Sequence, residues 1–125
     1  MTSECLTNWA PPHGIQELAA EQEGLIQELI ESYTTDMERR LQRIRAAMRS
    51  SDARVLRSEV HTIKGSSRQM AAHHVAAICE QIEAVGRERP MANLADLIGQ
   101  LESRIAEACA AMDGYQRAGQ ERLAS

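Results

Sequence analysis

Phenylalanine is absent from this 125-residue chain, and Trp9, Tyr33 and Tyr115 are its only aromatic residues. Valine occurs only at Val55, Val60, Val75 and Val85, each inside a helical spacing, and no alternating apolar and polar run is bounded by turn residues. Without such runs, strands are excluded, and the plentiful Ala, Leu, Ile, Met, Glu, Gln and Arg specify an all-α chain. The N-terminus lacks a basic stretch followed by an apolar one, and no apolar run is long enough to cross a bilayer. The expectation is a cytoplasmic protein with no membrane association. Cys5, Cys79 and Cys109 are odd in number and form no CxxC pair, so they read as reduced, packed thiols. No glycine-rich nucleotide loop is present, which excludes a kinase acting by itself. The net charge of -4 is spread as mixed signs, which argues against nucleic acid as a partner.

What is present is enough for one core: 43% of the residues are hydrophobic, and the length suits a single domain. Residues 1–13, with Pro11-Pro12 and only Leu6 and Trp9 as sizeable apolar groups, read as a loosely ordered lead-in that packs Trp9 on the domain. A short helix carrying Ile15, Leu18 and Ala19 follows. From about Glu21 to Met48, apolar residues recur at threes and fours, which predicts a long core-facing helix. Ser50-Ser51-Asp52 offers capping side chains, so a third helix opens at about Asp52 and turns Leu56, Val60, Ile63, Ser67 and Met70 inward. His73-His74 falls near a corner, and the pattern resumes with Val75, Ile78, Ile82 and Val85 until Pro90 stops it. A last helix carries Leu94 to Met112, after which Gly114 and Gly119 punctuate a frayed polar tail. The expected layout is a lead-in at 1–13, a helical domain at 14–113 and a tail at 114–125. Its simplest packing is an antiparallel up-down-up-down four-helix bundle with a short additional N-terminal helix.

One stretch resists this scheme. His61-Thr62-Ile63-Lys64-Gly65-Ser66-Ser67 places a glycine and two serines inside a helix, where glycine costs about 1 kcal/mol relative to alanine and serine about half of that. Helical spacing groups His61 with Arg54, Arg57, Ser58, Lys64, Gly65 and Arg68 on one face, at the edge of the core stripe. An exposed imidazole is largely neutral near pH 7 and keeps a nitrogen lone pair for nucleophilic attack. Lys64, one turn on, is the nearest ammonium for the oxygens of a phosphoryl group received there, and Arg57 and Arg68 add a longer-range field. Gly65 leaves the approach to the imidazole clear. Ser67 permits close helix approach, and both serines are placed to bond back to carbonyls one turn earlier.

HTIKGSS resembles the HxxKG(S/A)(S/A) motif of histidine-containing phosphotransfer (HPt) domains, all-helical carriers of phosphoryl groups in multistep phosphorelays. The resemblance spans roughly residues 15–112 by helix order and apolar spacing. It implies that His61 is the phosphoacceptor, that Lys64 meets the phosphate, and that Glu83, in the Ile82-Glu83 pair of the facing helix, orients the imidazole. It further implies a docking surface around His61 that includes Ile15 and Leu18. The partners would be response-regulator receiver domains and a sensor or hybrid histidine kinase, and the chain would act as a monomer. It would need no cofactor of its own, with Mg²⁺ expected in the receiver. Arg68-Gln69-Met70-Ala71 departs from the family's small-Asn-Leu-Gly run and bears on partner choice and on where the helix ends.

Other readings stand beside this one. Glu83 is also spaced to pair with Arg87 at i,i+4, and Arg54 reads as simply solvated. His73-His74 invites a metal, yet adjacent histidines diverge by about 100° on a helix and no Glu-x-x-His pair accompanies them. An HPt-like bundle that docks on and regulates a receiver or kinase without carrying phosphate is the alternative function. Whether the chain acts alone or as one domain of a hybrid kinase stays open.

Overall fold

A computed structural model describes residues 9–124, with side chains as far as Glu121. Cys5 and Leu6 of the expected lead-in lie outside the described residues. Among these residues are five α-helices and no strand: α1 (His13–Ala19), α2 (Leu25–Ser50), α3 (Ala53–Gln69), α4 (His73–Ala84) and α5 (Ala95–Ala124), with a 3₁₀ turn over Met91–Leu94 before α5. None of the helices is long and apolar enough to cross a membrane.

The helix borders follow from local chemistry. Gly24 adopts φ 80°, a left-handed conformation open to glycine, and releases the chain into α2. Asp52 caps α3, its carboxylate accepting from the Val55 N–H at 3.2 Å, as its position ahead of the apolar stripe predicts. At the other end of α3, Ala71 takes φ 56° and the Ala72 N–H reaches the Ser67 carbonyl at 2.7 Å. The chain turns a corner there and α4 begins at His73, where the paired histidines were expected to mark one. An alanine in that conformation is strained by roughly 1–2 kcal/mol.

α2 to α5 form the expected antiparallel bundle. Tyr33 meets Ser67 and Arg40 meets Glu59 between α2 and α3, so one chain direction rises as the other falls. α5 closes the ring against both α4 and α2, with Arg45 Nε donating to Glu102 at 2.6 Å. Met37, Ile44, Leu56, Val60, Ile63, Val75, Cys79, Leu101 and Met112 are fully enclosed, an aliphatic and sulfur core that uses methionine to fill gaps. The buried Cys79 thiol is pushed up to about 12, first by burial and then by the nearby Glu83 charge, and stays protonated.

Two borders differ from expectation. α4 ends at Ala84 because Val85 turns extended, and Pro90 instead starts the 3₁₀ turn, its carbonyl accepting from the Asn93 N–H at 3.0 Å. α5 runs through Gly114 and Gly119 to Ala124, so no frayed tail begins at 114. The cause is a long-range contact: the Trp9 and Tyr115 rings meet edge to face at 5.4 Å, and Trp9 Nε1 donates to the Met70 carbonyl at 2.6 Å. That clasp joins the lead-in, the end of α3 and the extension of α5, and supports helix beyond Gly114.

Candidate functional site

α3 and α4 run antiparallel, which carries Glu83 alongside the outer edge of α3. Its two carboxylate oxygens are divided between partners: Oε2 is 3.0 Å from His61 Nδ1, and Oε1 accepts from Lys64 Nζ at 2.5 Å. Glu83 thus bridges two residues one helical turn apart, and the alternative i,i+4 pair with Arg87 does not form. The bond from Lys64 is the main reason that the Glu83 carboxyl lies below the usual glutamate range, and His61 adds to it.

The three members differ in exposure. The His61 side chain is 72% exposed, whereas Lys64 is 17% exposed and lies along the helix surface towards Glu83. His61 lies outside the inward stripe of α3, which is taken by Leu56, Glu59, Val60, Ile63 and Ser67. With Nδ1 engaged, Nε2 has no partner among the described residues. Lys64 is also the single lysine of the sequence, every other cationic side chain of fixed charge being arginine. Nothing in the helical spacing marked that feature, because it belongs to composition.

Gly65 is exposed, and a Cβ built there meets nothing within 4 Å. Neither the bundle's packing nor the backbone calls for glycine at this position. Ser67 behaves otherwise: it is wholly buried and its Oγ is 2.7 Å from the Tyr33 hydroxyl, so it does not turn back to a carbonyl of its own helix. Burial raises the Tyr33 hydroxyl's pKa, and the pair stays neutral.

The remaining positions fall in different places. Arg57 Nη2 reaches the Gly86 carbonyl at 3.5 Å, beside a groove that also borders His61. Arg68 is bound to Glu80 at 2.5 Å, so its charge is cancelled by α4 and the face is less basic than α3 alone suggests. Ile15 is half-buried against the core and Leu18 is exposed, both on α1, which packs on α2. The sequence reading missed Glu59: it is buried on α3, held by Arg40 at 2.8 Å and by Arg43 at 3.5 Å. An acid next to the inward Val60 was the available signal. No cluster of three or more His, Cys, Asp or Glu side chains among the described residues has the arrangement to hold a metal ion.

Comparison with known proteins agrees with this geometry. The family model described as "Hpt domain" matches residues 28–111, more than half of the chain. The crystal structure of histidine-containing phosphotransfer protein B (HptB) from Pseudomonas aeruginosa PAO1 superposes with a TM-score of 0.73 at 25% identity, covering 86% of this chain and 95% of that one. No curated protein matches. The motif in mid-helix, the carboxylate facing it from the neighbouring helix and the matched span lead to one conclusion: the chain belongs to the Hpt domain family, with a histidine phosphotransfer role in phosphorelay.

Proposed function

We propose that the chain relays phosphoryl groups between aspartates of response-regulator receiver domains through phospho-His61. The observation that carries this reading is the pairing of an exposed imidazole, held at Nδ1 by Glu83, with a second nitrogen left free. A proton at Nδ1 donates to the carboxylate and leaves the lone pair on Nε2. In the transfer step Nε2 attacks the phosphorus of an aspartyl phosphate, the P–Nε2 bond forms, the P–O bond to the aspartate breaks, and the aspartate leaves as carboxylate. The return step to a second receiver is the reverse.

The ring then carries positive charge, because Nδ1 keeps its proton while Nε2 bears phosphorus. Glu83 is already placed to balance that charge. Lys64 is thereby released from its 2.5 Å contact with Glu83 and turns to the phosphoryl oxygens. The receiver supplies the aspartate and Mg²⁺, and the chain needs no cofactor of its own. Gly65 supports this reading as well, since a helix position that the bundle could fill with a side chain is kept bare beside the nucleophile. The exposed Leu18 offers an apolar contact for the same partner.

The test is incubation with a receiver phosphorylated with radioactive phosphate. Wild type is expected to take up an acid-labile, base-stable label, and His61→Gln none. Binding without label in the wild type would overturn the relay and favour a module that only docks.

A further inference from the structure

Most arginines of this bundle are neutralised. Arg39, Arg40, Arg43, Arg45, Arg68, Arg104 and Arg117 each contact a carboxylate. Among the described side chains five do not: Arg49, Arg54, Arg57, Arg87 and Arg89. Their placement is not scattered. Arg49 lies in the last turn of α2, Arg54 and Arg57 in the first turns of α3, and Arg87 and Arg89 in the loop that follows α4. Antiparallel packing brings these three places to one pole of the bundle, as the contact from Arg57 to Gly86 records. The acids at that pole are fewer: Asp52 is used as the α3 cap, Glu88 lies over Gly86, and Asp96 stands in the first turn of α5. The dipoles of the antiparallel helix ends there largely cancel.

At the other pole the sign reverses. Glu17, Glu21, Glu23, Glu28 and Glu31 gather on α1, the following turn and the start of α2, and among the described side chains no lysine or arginine bridges any of them. The chain as a whole carries -4, yet its cationic pole opposes five arginines to three acids. Between the poles sits His61. Towards Met70, Lys64 and Arg68 are cancelled by Glu83 and Glu80. Towards the cationic pole, a groove of about 500 Å³ opens beside His61, lined by Arg57, Arg87, Ala84, Val85 and Gly86 and by a single acid, Glu83, which is already held by Lys64.

We infer that the arginine pole, through the Arg57–Arg87 groove, is a steering surface that recruits an acidic partner face and orients it over His61. The inference rests on the phosphotransfer reading for the identity of that partner, a receiver domain presenting acids around its phosphorylated aspartate. Uncompensated charge of one sign at one end of a molecule raises the encounter rate with an opposite surface and fixes its approach, and salt screens the effect. Charges already paired within the bundle, such as Arg68, contribute little to that long-range field.

The test uses the full chain and those purified phosphorylated receivers that transfer to the wild type. The double variant Arg54→Glu, Arg87→Glu changes two exposed side chains that hold no partner, and circular dichroism checks that it remains helical. The association rate constant at low salt is expected to fall at least tenfold and to come within twofold of wild type at high salt, with the single-turnover rate in the formed complex unchanged. Arg117→Glu, at the far end of α5, should stay within twofold throughout. An association rate unaltered at low salt, or a loss equally large at high salt, overturns the inference. Phosphoramidate, a small phosphodonor, separates the two claims. If neither it nor any receiver labels His61 in the wild type, the phosphotransfer reading falls and this inference with it. If His61 is labelled and the double variant associates normally, only the steering surface falls.

Discussion

α3 carries two polar contacts of similar length on its opposite faces. Outward, His61 Nδ1 lies 3.0 Å from Glu83; inward, Ser67 Oγ lies 2.7 Å from the Tyr33 hydroxyl. The inner pair is neutral and shut off from water, so its loss strands a buried hydroxyl and is felt by the fold. The outer group is charged, wet on one side and built from side chains that can exchange partners. A hydrogen bond of the same length thus does different work according to what surrounds it. Inside it fixes how two helices meet, and outside it holds one nitrogen of an exposed imidazole while leaving the other free.

The comparison is open to attack from either face. The largest expected effect is on chemistry: His61→Gln should abolish phosphoryl uptake from any donor, while thermal unfolding shifts little, because the side chain is exposed. Radiolabel uptake and a melting curve measured on the same sample check both halves. Next, Tyr33→Phe should destabilise the fold by about 1–2 kcal/mol, by leaving Ser67 unpaired. Denaturant titration measures this, and transfer per folded molecule should be unchanged. A loss of transfer there would break the division between the faces.

Lys64→Ala is expected to slow transfer about tenfold, near 1.4 kcal/mol in the barrier, with stability altered by no more than about 0.5 kcal/mol. Single-turnover kinetics give the rate. The smallest effect is a titration. Lys64 holds the Glu83 carboxyl below the usual range, so Lys64→Ala should raise it towards that of an ordinary glutamate, as followed by carbon NMR of the side-chain carboxyl. The sign follows from linkage. Folded Glu83 binds its proton less readily than the unfolded chain does, so its stabilising contribution is complete above about pH 4.3 and is lost as pH falls through the lower folded value. In Lys64→Ala that acid sensitivity should shrink.

Residues whose role is local were readable before any coordinates. The apolar stripes of α2 and α3 obey helical spacing, and Asp52 stands ahead of one, so the all-α fold, the bundle and the cap followed directly. His61, Lys64 and Gly65 share a motif within five residues, and a Cβ at Gly65 would meet nothing within 4 Å. What escaped was anything decided across the bundle. The cancellation of Arg68 depends on Glu80 of another helix, and the pairing of Ser67 on Tyr33 of a third. Glu83 was legible only through family resemblance, because spacing on its own helix pointed equally to Arg87. The length of α5 was misread for the same reason. Gly114 and Gly119 disfavour helix by about 1 kcal/mol each, and the Trp9–Tyr115 contact that opposes this joins residues far apart in sequence.

The solitary lysine has a practical consequence. A sequence whose other fixed cations are all guanidinium groups offers an acylating reagent one side-chain amine, the ε-amine of Lys64. The Lys64 side chain is mostly buried and its ε-amine is fastened to Glu83. Its rate of covalent tagging, read by mass spectrometry of one peptide, becomes a gauge of how tightly the carboxylate holds it. The site thereby carries its own reporter, placed one helical turn from the nitrogen whose state it would follow.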